Sequence, residues 1–304
     1  MKKEKKFYGI IVPSVTPLTN DYRLDTGAVE KIFNHFYDCQ VSPFIMGTTG
    51  ESSSLPLAVK EEFLKVAGAS KRPGSNLFAG ISSNIVDESV EFAKYCVDQG
   101  VDAAVATLPF YYTLTESQMK KYFDTLASAI PLPLIIYNIP ATTHISIPLS
   151  LIDELSYHPN IVAIKDSERS EERLKQSLSL WKNREDFAHF TGWAAMSAEA
   201  LINGSDGLVP STGNLVPAIY SAMLKAVEDG NSDRAYEMQK LSDLYGNLYQ
   251  EGRTLGESLS ALKVLMNEKG LCGKTMMPPL QPLTNEEEKV LVQRLRKQVP
   301  KAMQ

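Results

Sequence analysis

Three short stretches of this chain carry residues that could do chemistry together. The run "NIVAIKDS" ends an apolar segment, Ile161 to Ile164, with Lys165. Lysine is almost never fully buried without a partner or a role. Its amine, with an ordinary pKa near ~10.4, is no nucleophile at neutral pH. Apolar walls disfavour the ammonium and lower that value. A lysine tuned in this way can form a Schiff base with a ketone, and the protonated imine then withdraws electrons from the adjacent C–C bond. The run "PLPLIIYNIP" delivers Tyr137 and Asn138 in the same manner, and a phenol beside an imine can move protons. The stretch "GTTGES", Gly47 to Ser52, offers two hydroxyls and glycines that let backbone N–H groups approach a carboxylate. Each has a plainer reading. The lysine can pair with Asp166 and face solvent, the tyrosine can fill a strand end, and the "GTTGES" hydroxyls can cap a helix. It is not a phosphate-binding GxxxxGK[ST] loop, because Ser52 and Ser53 occupy the second Gly and the Lys positions.

These residues need elements to aim them. Eight short apolar runs are candidate strands: "YGIIVPSV", "SPFIMG", "LFAGIS", "DAAVATL", "PLIIYNI", "IVAIKD", "HFTGW" and "GLVPS". Segments with helical period lie between them. Over Thr26–Tyr37, Val29, Ile32, Phe33 and Phe36 share a face; over Glu116–Ala129, Met119, Tyr122, Phe123 and Leu126 do so. Asp25 or Thr26 and Thr115 are expected N-caps. Strand and helix in alternation predict a parallel sheet. Strands apolar on nearly every residue are buried on both faces. Eight such units predict a (β/α)8 TIM barrel over residues 1–230. A doubly wound open sheet is the alternative, but no GxGxxG follows the first strand. Helical segments after residue 231, ending near Gln298, predict a C-terminal helical extension packed on the barrel, residues 231–304.

In a barrel, catalytic residues belong at the C-terminal strand tips. Beyond Lys165, Tyr137, Thr48 and Thr49, those tips carry Phe110, Tyr111 and Tyr112 after the fourth strand. Ser167 follows the sixth, Gly192 and Trp193 the seventh, and Ser211 and Thr212 the eighth. The aromatic run after the fourth strand also reads as a surface or interface patch.

Composition narrows the classes. The chain has 304 residues, 43% hydrophobic and 22% charged, which is an ordinary soluble balance. A net charge of -5 gives no sign of nucleic-acid binding. "FYGIIVPSVTP" is too short and too broken by proline for a signal peptide or membrane span. Three widely spaced cysteines without CxxC argue against disulfides or a zinc site and fit a reducing cytoplasm. The four histidines show no metal-ligand spacing, so each is expected to be an isolated core or surface residue.

"GTTGE", "PFYY", "YNIP" and "IKDS" occur in that order, one per strand. Together they resemble the dihydrodipicolinate synthase and N-acetylneuraminate lyase family of class I (Schiff-base) aldolases, over roughly residues 7 to 300. The resemblance implies that Lys165 attacks the keto carbon of pyruvate or of a 2-keto acid containing it. It implies that Tyr137 relays protons and that Thr48 and Thr49 bind the carboxylate and pass protons. It also implies that Tyr111, or Tyr112 if the match slips by one, completes a relay in a neighbouring subunit. A homotetramer is implied, with no metal or organic cofactor.

Two departures bear on substrate. The synthases usually read "YNVPxRT", with an arginine for the second substrate's carboxylate; here Thr142 stands in "YNIPATT". The sialic acid lyases usually carry "GYDE" after the seventh strand; here it is Gly192, Trp193, Ala194 and Ala195, without the two carboxylates. The expectation is therefore a lyase that reversibly cleaves a shorter 2-keto-3-deoxy sugar acid, or a related 4-hydroxy-2-keto acid, to pyruvate and an aldehyde. Ser167, Gly192 and Ser211 are candidate contacts for the variable part. The alternatives are a 4-hydroxy-tetrahydrodipicolinate synthase and a keto-acid-binding barrel without turnover.

Overall fold

The computed structural model describes residues 5–299. Eight strands close into a parallel barrel in sequence order: β1 Gly9–Pro13, β2 Ser42–Ile45, β3 Phe78–Gly80, β4 Ala103–Ala106, β5 Leu134–Asn138, β6 Ile161–Asp166, β7 Ala188–Thr191 and β8 Gly207–Leu208. β1 pairs with both β2 and β8, so no edge is left open and the doubly wound sheet is excluded. Every expected strand is present but most are shorter than their apolar runs. β8 is shortest: the Val209 N–H still reaches the Thr191 carbonyl at 2.8 Å, but Pro210 has no N–H to continue.

The crossovers carry α1 Thr26–Tyr37, α2 Leu57–Ala69, α3 Val86–Asp98, α4 Glu116–Ala129, α5 Pro140–Thr143 with α6 Leu149–Leu155, α7 Glu171–Trp181, and α8 Ser197–Ile202. α9 Pro217–Glu228 is the eighth barrel helix. α10 Ser232–Gln250, α11 Leu255–Glu268 and α12 Asn285–Gln298 follow it. Asp25 caps α1 by accepting from the Ala28 N–H, and Thr115 with Gln118 forms a capping box on α4, each satisfying N–H groups the helix cannot use itself. α5 is an addition to the sequence reading. Pro140 starts a single helical turn, because its fixed φ suits the first helical position. Among the described residues no helix is long and apolar enough to cross a membrane. Cys39, Cys96 and Cys272 are free thiols.

Period-two alternation sorts the strand residues between two cores. Ile11, Phe44, Phe78, Val105, Ile135 and Phe190 point inward and fill the barrel. Ile10, Val12, Ile45, Ala104, Ile136 and Ile164 point outward against the helices. One irregularity interrupts this order. Leu134 pairs with Ile161, yet Ile135 pairs with Ala163, so Val162 is an extra residue on β6. Beyond it the register puts Tyr137 opposite Lys165 and Asn138 opposite Asp166.

The barrel floor is closed by a buried charge. Lys5 Nζ lies 2.7 Å from Asp206 Oδ2 and also donates to the carbonyls of Trp181 and Phe187 at 3.2 and 2.9 Å. Asp206 in turn accepts the His189 N–H at 2.8 Å. His189 is a core residue, and burial followed by repulsion from Lys5 and Arg173 pushes its pKa down to about 3. Breaking a buried pair from one side leaves the other charge uncompensated. Asp206→Ala is therefore expected to lower unfolding stability by about 3–5 kcal/mol in a denaturant melt. A loss below about 1 kcal/mol, the range of an exposed pair, would show that Lys5 escapes to water.

Candidate active site

Lys165 is inward-facing on β6 and only 4% exposed. Its Nζ sits 3.7 Å from the centroid of the Tyr137 ring and 5.0 Å from that of Phe44. Below it Ile11, Phe78, Val105, Ile135 and Val209 close the barrel. Among the described residues no carboxylate forms an ion pair with it. Burial therefore pushes the amine pKa below its usual value, and the charge and hydrogen bond of Tyr137 oppose this only in part. The solvent-facing pairing with Asp166 is excluded by the alternation of the strand: Asp166 points the other way.

Tyr137 lies on the neighbouring strand, 5% exposed. Its hydroxyl is 3.4 Å from Thr48 Oγ1. Burial alone would raise the phenol pKa. The Lys165 charge, then hydrogen bonds with Thr48, Lys165 and Ser167, outweigh burial and bring it below the ordinary value. A buried amine and a buried phenol thus share one small volume in which a proton has few other places to go.

The turn after β2 brings Thr48 to this pair. The Gly50 and Glu51 N–H groups are used inside the turn, bonding the Gly47 and Thr48 carbonyls at 3.1 Å each. The Thr48 and Thr49 N–H groups have no partner among the described residues. Two adjacent amides left free beside hydroxyls suit an anion such as a carboxylate. Thr49 itself is buried behind the turn, 7% exposed.

The other candidates divide. Ser167 joins the group through Tyr137. Gly192 lies against it: a Cβ there would fall 2.0 Å from Ser167 Oγ, so a larger residue would turn the Ser167 hydroxyl aside. Ser211 is turned toward α10, where its hydroxyl meets the Tyr249 hydroxyl at 2.7 Å. Tyr111 is not brought in. It is 76% exposed on the loop after β4, and its ring packs edge-on against Tyr112 at 4.9 Å. A cleft of about 280 Å³ opens from Tyr137 and Thr48 past Ser83 and Thr142 to Leu255 and Leu280 beyond the barrel. Among the described residues no group of three or more His, Cys, Asp or Glu is arranged to hold a metal ion.

Sequence reasoning placed Asn138 and Asp166 at the strand tips without a role, and missed Ser146, Glu168 and Arg173, which hold those tips together with them. Asn138 donates to Asp166 Oδ1 at 2.9 Å and Glu168 Oε2 at 3.0 Å, and its own carbonyl accepts the Ile147 N–H at 3.1 Å. Arg173 pairs with Asp166 at 2.7 Å and Glu168 at 3.4 Å. Ser146 adds a bond to Glu168 at 2.6 Å. Asn138 and Asp166 are the outward partners of Tyr137 and Lys165, so the network bolts the two tips together from outside. The available signal was the second polar residue at each tip. Because Lys165 is buried without a carboxylate partner, Lys165→Met should match or exceed the parent in stability, by up to roughly 2 kcal/mol in a denaturant melt. A clear loss would show that the ammonium is compensated.

The chain is similar to known proteins over nearly its whole length. Residues 6–298 match the dihydrodipicolinate synthetase family. The chain is 31% identical, over 95% of its length and 96% of the relative's, to an uncharacterized DapA-like lyase of Thermofilum pendens. It is 29% identical to a 4-hydroxy-tetrahydrodipicolinate synthase of Methanosarcina mazei, covering 96% and 98%. Among solved structures, the dihydrodipicolinate synthase of Bacteroides thetaiotaomicron superposes with a TM-score of 0.90 at 26% identity, covering 97% and 99%. That of Acinetobacter baumannii, complexed with pyruvate, gives 0.86 at 27%, covering 95% and 98%. This chain belongs to the dihydrodipicolinate synthetase family and is a lyase of the pyruvate-dependent class I aldolase type.

Proposed function

We propose that this lyase reversibly cleaves a short 2-keto-3-deoxy sugar acid, or a related 4-hydroxy-2-keto acid, to pyruvate and an aldehyde, with Lys165 as the nucleophile. The observation that carries this reading is a buried amine with no carboxylate partner, packed on a tyrosine ring. The neutral Lys165 amine adds to the C2 carbonyl, giving a carbinolamine. Loss of water leaves an iminium. A base takes the proton of the C4 hydroxyl, the C3–C4 bond breaks, and its electron pair passes into the iminium to form an enamine while the aldehyde departs. Protonation at C3 and addition of water release pyruvate and return the amine. Tyr137 carries protons at the nitrogen and the departing hydroxyl, in reach of Thr48. Thr48 and Thr49 hold the carboxylate through their hydroxyls and free N–H groups.

Tyr111 is assigned to the relay of a neighbouring copy, which fits its exposure here. The chain would then work as a homotetramer, in the cytoplasm. Ser167 and Gly192 contact the variable part of the substrate. Ser211 joins them if its bond to Tyr249 yields. The second reading is 4-hydroxy-tetrahydrodipicolinate synthase, favoured by the names of several relatives. Against it, Thr142 lines the cleft where the synthases usually present an arginine. A fixed pocket built for a carboxylate loses heavily when its ion-pairing partner is missing.

Incubation with pyruvate, quenched into borohydride and analysed by mass spectrometry, should place a single reduced adduct on Lys165. An adduct on another lysine, or none, would overturn the mechanism. The neutral amine is the attacking form, so imine formation should quicken as pH rises and level off well below 10.5, the ordinary lysine value. A plateau reached only there would contradict the lowering by burial. Tyr137→Phe keeps the ring under Lys165 but removes the proton carrier, and should slow imine formation about 100-fold or more. A panel of 2-keto-3-deoxy acids, scored for pyruvate release, should contain a substrate turned over faster than the condensation of pyruvate with aspartate semialdehyde. Faster condensation than any cleavage would favour the second reading.

A further inference from the structure

Beyond the barrel, a second site holds a fully buried charged pair. Lys263 sits in the middle of α11 and Glu51 at the end of the Gly47–Glu51 turn, and their side chains form an ion pair with relative exposures of 1% and 0%. Each is bound further. Lys263 Nζ donates to the Thr275 carbonyl at 2.7 Å, and Glu51 Oε2 accepts the Met277 N–H at 2.7 Å. Glu51 has a left-handed backbone, φ +58°, an uncommon conformation for a residue with a side chain. The preceding carbonyl, of Gly50, accepts from Thr16 Oγ1 at 2.6 Å. The turn is thus held at its last residue by α11 and the 275–277 strap, and from below by the loop after β1.

We propose that Glu51 and Lys263 are positioning residues whose pairing sets the turn in the conformation that leaves the Thr48 and Thr49 N–H groups free for the substrate carboxylate. This rests on the carboxylate reading given above. A buried pair is a poor device for stability alone, since apolar residues of similar size serve as well or better. Its value lies in direction. A carboxylate held by both the Lys263 ammonium and the Met277 N–H fixes where Glu51 points, and Glu51 N–H, bonded to the Thr48 carbonyl, transmits that to the threonines. α11 also lends Leu255 and Leu259 to the cleft, so the same helix that anchors the turn walls the site. The helices after residue 231 then take part in substrate binding.

The test reads pyruvate concentration at half-maximal borohydride trapping. Glu51→Gln and Lys263→Met should each raise it about tenfold or more. The double variant, with both charges gone, should regain thermal stability relative to the single ones yet keep the raised half-saturation. The plateau adduct on Lys165 should stay near that of the parent, because the nucleophile is untouched. A folded double variant with half-saturation within about twofold of the parent overturns the proposal. If none of the variants folds, hydrogen exchange on the unaltered protein decides: pyruvate should protect residues 47–51 and 275–277 together, and protection of 47–51 alone overturns the proposal. Absence of an adduct in the unaltered protein would instead count against the carboxylate and imine reading itself.

Discussion

An amine sealed inside an apolar barrel, without a carboxylate to balance it, sets the terms for the rest of this molecule. Water would hold the proton on Lys165; the walls of Phe44, Val105 and Ile135 take that water away. Only a closed barrel can supply such walls on every side. The tyrosine ring gives the residual ammonium a weak electrostatic partner, and the phenol gives its proton a destination. A carboxylate in the same place would have stabilised the charged form and silenced the nucleophile. The unfavourable burial is carried by the large outer core between strands and helices, where stability is concentrated.

The outer faces of the same strand tips carry the opposite chemistry. Asn138 and Asp166 face out, and there the Asp166 carboxylate is paired with Arg173 and hydrogen-bonded by Asn138. One side of each tip is left electrostatically incomplete, while on the other the charges are paired. Rigid support behind a reactive group is what allows the reactive group to remain uncompensated, because a loose tip would let Lys165 swing to an acid or to water. The buried pairs at Lys5 and Lys263 belong to the same scheme: charge is placed where direction matters, at the floor and at the turn after β2.

Much of this was legible in the chain. Strand and helix alternation gave the barrel, because apolar runs of that length cannot be covered except by crossover helices. Lys165 and Tyr137 stood out because each ends such a run. What the sequence hid depends on contacts between distant segments. Lys263 lies in "SALKVLMN", a lysine among apolar residues that periodicity alone cannot distinguish from one snorkelling to solvent. Glu51 reads as part of a turn, and nothing local says its partner is more than two hundred residues away. Ser211 sits at a strand tip as expected, but Tyr249 of α10, invisible to a strand-end argument, takes its hydroxyl. Tyr111 sits where the motif puts it, and a single chain offers it only Tyr112.

The extra residue at Val162 has a consequence for how this chain can change. Side chains along a strand alternate like the beats of a two-step measure, and Val162 is an added beat without a partner on β5, after which β6 resumes in phase from Ala163. Aliphatic exchanges among residues 161–164 leave that phase alone. Loss of one residue there is absorbed by closing the bulge and leaves Lys165 opposite Tyr137; loss of a second would reverse the phase and send Lys165 outward among the helices. The constraint on this strand is thus on its length more than on its letters. A descendant could repaint the barrel wall residue by residue and keep its nucleophile, but could shorten "IVAIK" by no more than the one position the bulge holds in reserve.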